Sequence, residues 1–326
     1  MSKTCLVLGT TGVGKSSFIN GVSDGQTKLE SRDSANAVTV DLYAAEFYKN
    51  SFKYTFIDTP GLSDEKGDEA NINEIKKAAS EYPDFSYILI LFNFQVDRID
   101  KSTVNALEEY MKIFPVQYFW EHVIIVYTHV YPKGISQKLI NELKEKIVKK
   151  KGDFVRTISS HNDYKNFRTF MKKNNINIPN YIDEYFVNSQ QDVSDIDDET
   201  KDQYNKILEK IKDGKLVFQK IDHVDRKTVV ETGGRMNKIK TLRKIIYYPR
   251  IGSIISLDEF LIKEEDATNQ KPISYKFEKE NTYNVVSKKC KKFYKYNVYK
   301  INKYKGENGG IIEGNKNYYV EELVPK

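Results

Sequence analysis

The sequence predicts an α/β fold, a mostly parallel sheet with helices on both faces, followed by a smaller β-rich C-terminal region. Three observations predict it. Strand and helix signals alternate through the first two-thirds of the 326 residues, the pattern of repeated strand–helix–strand crossovers. A glycine-rich stretch, Gly9-Thr10-Thr11-Gly12-Val13-Gly14-Lys15-Ser16, sits between an apolar strand and a helix. After Gly214 the alternation stops, and short β-rich pieces separated by Gly-Gly and Asn/Lys turns take over. The expected domains are therefore 1–214 and 215–326.

Taken in order, residues 5–8 read as a buried strand and 16–22 as the helix behind it. Residues 38–48 and 52–57 read as strands paired across the turn Lys49-Asn50-Ser51. A helix at 71–80 precedes a fully buried apolar strand at 87–92. The stripe Val104, Leu107, Met111 and Phe114 marks a helix over 101–113. Residues 123–127 read as another buried strand, 136–149 and 159–173 as helices, and 185–187 as a last strand. The helix at 195–212 has Ser194 as its expected N-cap, Ile207, Leu208 and Ile211 as its apolar face, and Gly214 as its stop. In the C-terminal region β signals fall at 228–231, 244–248, 251–257, 283–287, 294–301 and 318–324. Thr232-Gly233-Gly234 and Glu307-Asn308-Gly309-Gly310 read as hairpin loops.

An apolar fraction of 39% and a charged fraction of 30% describe a folded chain, not a disordered one. Mean hydropathy is −0.60, and no uncharged apolar run approaches the roughly 20 residues of a membrane-spanning helix. The first strand begins too early to leave room for a signal peptide. Ser2 stands where myristoylation requires glycine, and Val324-Pro325-Lys326 is no prenylation box. Cys5 and Cys290 lie far apart without metal-ligand spacing and fit a reducing compartment. The expectation is a cytoplasmic protein whose membrane contact is peripheral. Net charge is +6, divided as −4 over residues 1–214 and +10 over 215–326. The Lys/Tyr mixture there suits an anionic surface, although no nucleic-acid-binding motif accompanies it.

Residues 9–16 match the P-loop pattern at every position, with the required strand before and helix after. The glycines let successive N–H groups point into one concavity that holds phosphate oxygens, and the helix N-terminus adds further donors. Gly9, Thr10, Thr11, Gly12, Val13 and Gly14 form that cradle. Lys15 supplies charge to the β- and γ-phosphates, the Ser16 hydroxyl ligates Mg²⁺, and Ser17 reaches the α-phosphate. A second anchor is Asp58-Thr59-Pro60-Gly61 at the end of an apolar strand. Asp58 there holds Mg²⁺ through water, and the Gly61 N–H bonds the γ-phosphate. With the first motif, it points to the GTPase branch of P-loop NTPases. Thr39 is the expected threonine that completes the Mg²⁺ shell, with Ser34 and Thr27 as competitors.

These residues resemble the AIG-type family, the GTPases of immunity-associated proteins, over roughly residues 1–214. The resemblance rests on residues 9–20, on Asp58-Thr59-Pro60-Gly61-Leu62-Ser63-Asp64, on the segment 92–114 with Arg98, and on 119–129 ending in Thr128-His129. It is similar, more distantly, to the chloroplast-import and septin GTPases. The resemblance implies GTP or GDP with Mg²⁺ as ligands, a homodimer through the nucleotide face, and contact with endomembranes. Thr128 and His129 then stand where other GTPases carry Asn-Lys-x-Asp, with Tyr131 in place of the Asp, and Asn188 faces the purine. Leu62 replaces the glutamine that orients water in Ras-like proteins, which implies slow hydrolysis, about 10⁻³ s⁻¹ or below. Arg98 is the residue that the resemblance assigns to a neighbour's site, making Lys15, Thr39 and Arg98 the expected catalytic set.

Overall fold

Burial decides the composition of the N-terminal sheet. In the computed structural model, which describes residues 2–29, 43–62, 68–96, 99, 101–130, 137–189, 196–232, 235–288, 291–305 and 310–325, β1 (Ser2–Gly9), β4 (Phe85–Asn93) and β5 (Val123–Thr128) are nearly unbroken apolar runs. That is the signature of strands covered on both faces. With β2 (Tyr43–Lys49), β3 (Phe52–Asp58) and β6 (Asp183–Phe186), they form a six-stranded sheet ordered β2-β3-β1-β4-β5-β6. Every pair is parallel except β2 and β3. That hairpin turns on Asn50 and Ser51, at φ 50° and 62°, the double positive φ of the tight turn whose twist matches its strands.

The helices are α1 (Lys15–Val22), α2 (Asp68–Glu81), α3 (Lys101–Ile113), α4 (Gln137–Lys150), α5 (Asp153–Ser160), α6 (Lys165–Lys173) and α7 (Asp198–Lys212). Phe18 and Val22 of α1 share one core with Tyr204, Ile207, Leu208 and Ile211 of α7, over Cys5, Val7 and Phe56 of the sheet. Phe18 stacks on Phe56 at 6.2 Å, and Tyr204 meets Phe18 edge-on at 5.7 Å. The single helix expected over 159–173 is instead two. His161 is extended (φ −69°, ψ 137°) and breaks the chain there, while Gly152 at φ 73° opens α5 earlier. The N-cap of α7 is Asp197, not Ser194: its carboxylate accepts from the Thr200 N–H at 2.7 Å and from the Thr200 hydroxyl at 2.9 Å. Ser194 lies outside the described residues.

The chain divides into two compact units, Met1–Asp222 with Ile245–Leu257, and His223–Lys244 with Asp258–Lys326. Within the first unit, Phe218 stacks on Tyr247 at 4.2 Å, and the Arg250 guanidinium lies 4.4 Å from the centre of the Tyr118 ring. The second unit is built from long strands. β7 (Lys220–Thr232), β8 (Arg235–Tyr248) and β10 (Phe260–Gln270) lie in the order β10-β8-β7, and the end of β8 that belongs to the first unit pairs there with β9 (Ile255–Ser256). β11 (Ser274–Lys288), β12 (Lys291–Lys305) and β13 (Ile311–Pro325) form an antiparallel sheet. Val229 of β7, Met236 and Ile239 of β8, Tyr304 of β12 and Ile312 of β13 make the core of this unit.

Here the expected short strands become much longer, the strand at 251–257 shrinks to two residues, and β10 was not foreseen. The charges of β10 explain the miss. Glu264 pairs with Lys238 and Lys240 across β8, so residues that read as loop by propensity are stabilised by cross-strand partners. Among the described residues no helix is long and apolar enough to cross a membrane.

Phe56 is fully buried between Phe18 and Phe47. Phe56→Ala is therefore expected to lower unfolding free energy by about 3–5 kcal/mol, read as a lower urea midpoint. An unchanged midpoint would contradict this packing.

Candidate functional site

The site is assembled where β1 and β3 end. β1 delivers the chain into the loop 9–16, whose Gly12 and Gly14 adopt φ 76° and 88°, values costly for any residue with a Cβ. Gly14 caps α1 directly. Lys15 is 8% exposed, and its Nζ donates to the Gly9 and Thr10 carbonyls at 3.3 and 3.2 Å. The side chain thus curls back over its own loop. Burial pushes the ammonium down to about 8, against the opposing pull of the Asp58 carboxylate.

Asp58 closes the other side. It is 2% exposed; its Oδ2 accepts from the Ser16 hydroxyl at 2.6 Å, and its buried Oδ1 has no hydrogen-bond partner. Burial raises its pKa, while the Ser16 bond and the Lys15 charge act to lower it. A buried carboxylate oxygen without a donor is expensive, and beside a serine hydroxyl it offers the oxygen ligands that a hard divalent cation takes. Ser16 and Asp58 therefore fit a Mg²⁺ site.

The segment after Asp58 is fastened to the loop. Thr59 donates to the Val7 carbonyl at 2.7 Å, and Leu62 bridges Thr10 in strand fashion. Gly61 approaches so closely that a Cβ there would lie 2.5 Å from the Thr11 nitrogen.

The other end of the site is formed by the loops after β5 and β6. Thr128 is fully buried, and its hydroxyl donates to the Val13 carbonyl at 2.7 Å. His129 Nδ1 lies 2.9 Å from that hydroxyl, in a backbone with φ 58°. Asn188, 1% exposed, has both side-chain amide atoms without partners, and the Ser189 hydroxyl is likewise unpartnered. A Cβ on Gly14 would meet Ser189 Oγ at 3.0 Å and His129 Cε1 at 3.1 Å. The phosphate loop and the two distal loops thus close on one place, with unsatisfied polar groups at both ends.

Gly9, Thr10, Thr11, Gly12, Val13, Gly14, Lys15, Ser16, Ser17, Asp58 and Gly61 lie in or against the loop, and Thr128, His129 and Asn188 at the distal end. Thr39, Ser34, Arg98 and Tyr131 lie outside the described residues. Thr27, a competitor of Thr39, has its hydroxyl 2.8 Å from that of Ser23 in the turn after α1. One residue was missed altogether. Tyr110 of α3, 1% exposed, accepts from the Gly9 N–H at 3.1 Å. Its place three residues after Leu107 on the apolar stripe was the available signal.

Residues 3–162 match the model of the AIG1 family. A stretch of 136 residues is 32% identical to translocase of chloroplast 126 of Physcomitrium patens, covering 39% of this chain and 11% of that protein. Another of 126 residues is 29% identical to GTP-binding protein A of Dictyostelium discoideum, covering 38% of this chain and 27% of that protein. The chain thus spans only a minor part of the curated relatives it matches. Among solved structures, Toc33 from Arabidopsis thaliana in complex with Mg²⁺ and GMPPNP superposes with a TM-score of 0.43 at 18% identity, over 65% of this chain and 83% of that one.

Because Gly61 has no room for a side chain, Gly61→Ala is expected to cost about 1–3 kcal/mol of stability and to weaken binding of a non-hydrolysable nucleoside triphosphate analogue. Unfolding and calorimetric titration of the same variant read the two effects, and wild-type affinity would contradict the close approach.

Proposed function

We propose that this chain, whose residues 3–162 match the AIG1 family model, binds GTP and GDP with Mg²⁺ and acts as a switch or scaffold that hydrolyses GTP slowly and dimerises through its nucleotide face in the GTP state. The observation that carries the reading is the buried Lys15 ammonium beside the Ser16–Asp58 pair, with Asp58 Oδ1 left open. A match to a protein named GTP-binding protein A adds to it.

The loop N–H groups and Lys15 bind and orient the β- and γ-phosphates. Ser16 and Asp58 hold Mg²⁺, which when bound supplies positive charge against the charge developing on the transferred group. Gly61 donates its N–H to the γ-phosphate. Thr128 and His129 support the base loop, and Asn188 offers the purine an unpaired amide. Thr39 as a further Mg²⁺ ligand and Arg98 as a residue reaching a second copy are proposals from sequence alone, as are a cytoplasmic location and peripheral membrane contact.

Leu62 supports slowness. It is 1% exposed and apolar, so it cannot orient an attacking water. The same observation favours a second reading, a nucleotide-binding assembly module with negligible hydrolysis.

Single-turnover GTP hydrolysis over a range of protein concentrations separates the two. The rate is expected to rise with concentration, alongside a shift to dimer in the presence of a non-hydrolysable GTP analogue. A rate that stays flat and near zero at every concentration would leave the assembly module. Lys15→Ala is expected to weaken nucleotide binding by about a hundredfold, roughly 2.7 kcal/mol, and wild-type affinity in that variant would overturn both readings.

A further inference from the structure

A groove of one charge sign runs along α6. Lys165, Arg168, Thr169 and Lys172 follow the spacing that places residues on one helix face, while Phe167 and Met171 are buried on the opposite face. The helix ends in a tight reversal. Asn175, at φ 56°, sends its N–H to the Lys172 carbonyl at 3.2 Å, and the Ile176 N–H bonds the Met171 carbonyl at 2.9 Å. This is the paired bonding of a left-handed helix stop, with Ile176 buried as its apolar contact. The Asn177 N–H then bonds the Gln117 carbonyl at 3.0 Å. The returning chain is thereby held alongside the helix, leaving a groove of about 530 Å³ between them.

Among the described residues no carboxylate lines it. Lys165, Arg168 and Lys172 supply the charge, and Gln117, Thr169, Asn175 and Asn177 supply amides and a hydroxyl. Among the described residues Lys165 and Lys172 form no ion pair, whereas Lys112 and Lys144 pair with Glu109 and Glu199. Arg168 is anchored, one guanidinium nitrogen donating to the Ile158 and His161 carbonyls at 2.9 and 2.8 Å.

We propose that this groove binds a multiply phosphorylated small anion, either a free inositol phosphate or the same headgroup on a lipid. Its cations lie within two helical turns, about 10 Å along the axis, which suits phosphates around a single ring. Several charge-assisted hydrogen bonds from fixed and mobile donors then add.

The test uses the full chain, a double reversal in the groove (Lys165→Glu with Lys172→Glu) and a matched reversal on α4 (Lys138→Glu with Lys149→Glu). Each is titrated with inositol hexakisphosphate and sedimented with vesicles containing phosphatidylinositol bisphosphate. Any binding at the phosphate loop is common to all three proteins, so their difference reads the groove. The groove variant is expected to lose about tenfold or more in affinity for at least one probe, with the α4 variant retaining wild-type affinity. Loss for the soluble probe identifies a free anion, and loss for vesicles alone a lipid headgroup. Equal behaviour of the two reversal variants, or no binding of either probe to wild type, overturns the proposal.

Discussion

A buried ammonium sets the terms for the N-terminal unit. Lys15 is held under its own loop by two carbonyl oxygens and has the Asp58 charge nearby, without a direct ion pair among the described residues. Burying such a charge is costly unless it is paired, and the lowered pKa of Lys15 records that cost. The surrounding structure keeps the arrangement from collapsing. Tyr110 accepts the Gly9 N–H, Thr128 donates to the Val13 carbonyl, and Gly61 packs against Thr11. Three elements far apart in sequence hold one short loop in a shape suited to an anion.

That division explains what the sequence made legible. The phosphate loop was readable because its chemistry is local: glycine for positive φ, lysine for charge and serine for an oxygen ligand stand at fixed spacings. The mostly parallel sheet was legible from the alternation of strand and helix signals, and the burial of its central strands from their apolar runs. Tyr110 was not readable as a site residue, since its bond to Gly9 spans 101 residues and exists only once α3 packs beside β1. The cap of α7 went wrong for a related reason. Ser194 and Asp197 are both competent N-caps, and only the Thr200 contact distinguishes them.

The second unit was harder. Its strands carry lysines and glutamates at positions that face water, and their charges find partners on other strands, as Lys316 of β13 shows by reaching across β12 to Glu278 and Glu280 of β11. Propensity alone gives such segments as loops. The charge arithmetic was visible in the sequence, yet it pointed to the C-terminal lysines. The groove on α6 belongs to the first unit, and what marks it is a concave face that gathers Lys165, Arg168 and Lys172 with no carboxylate among its described residues, a property of folding and not of composition.

In the proposed function the two ends of the site together select a guanine nucleotide with Mg²⁺. Calorimetric titration of the full chain with non-hydrolysable GTP and ATP analogues, each with Mg²⁺ and with excess chelator, tests it most directly. Preference for the GTP analogue by about tenfold or more is expected, with affinity falling when Mg²⁺ is removed. Equal affinity for the two analogues, or binding indifferent to Mg²⁺, would contradict it.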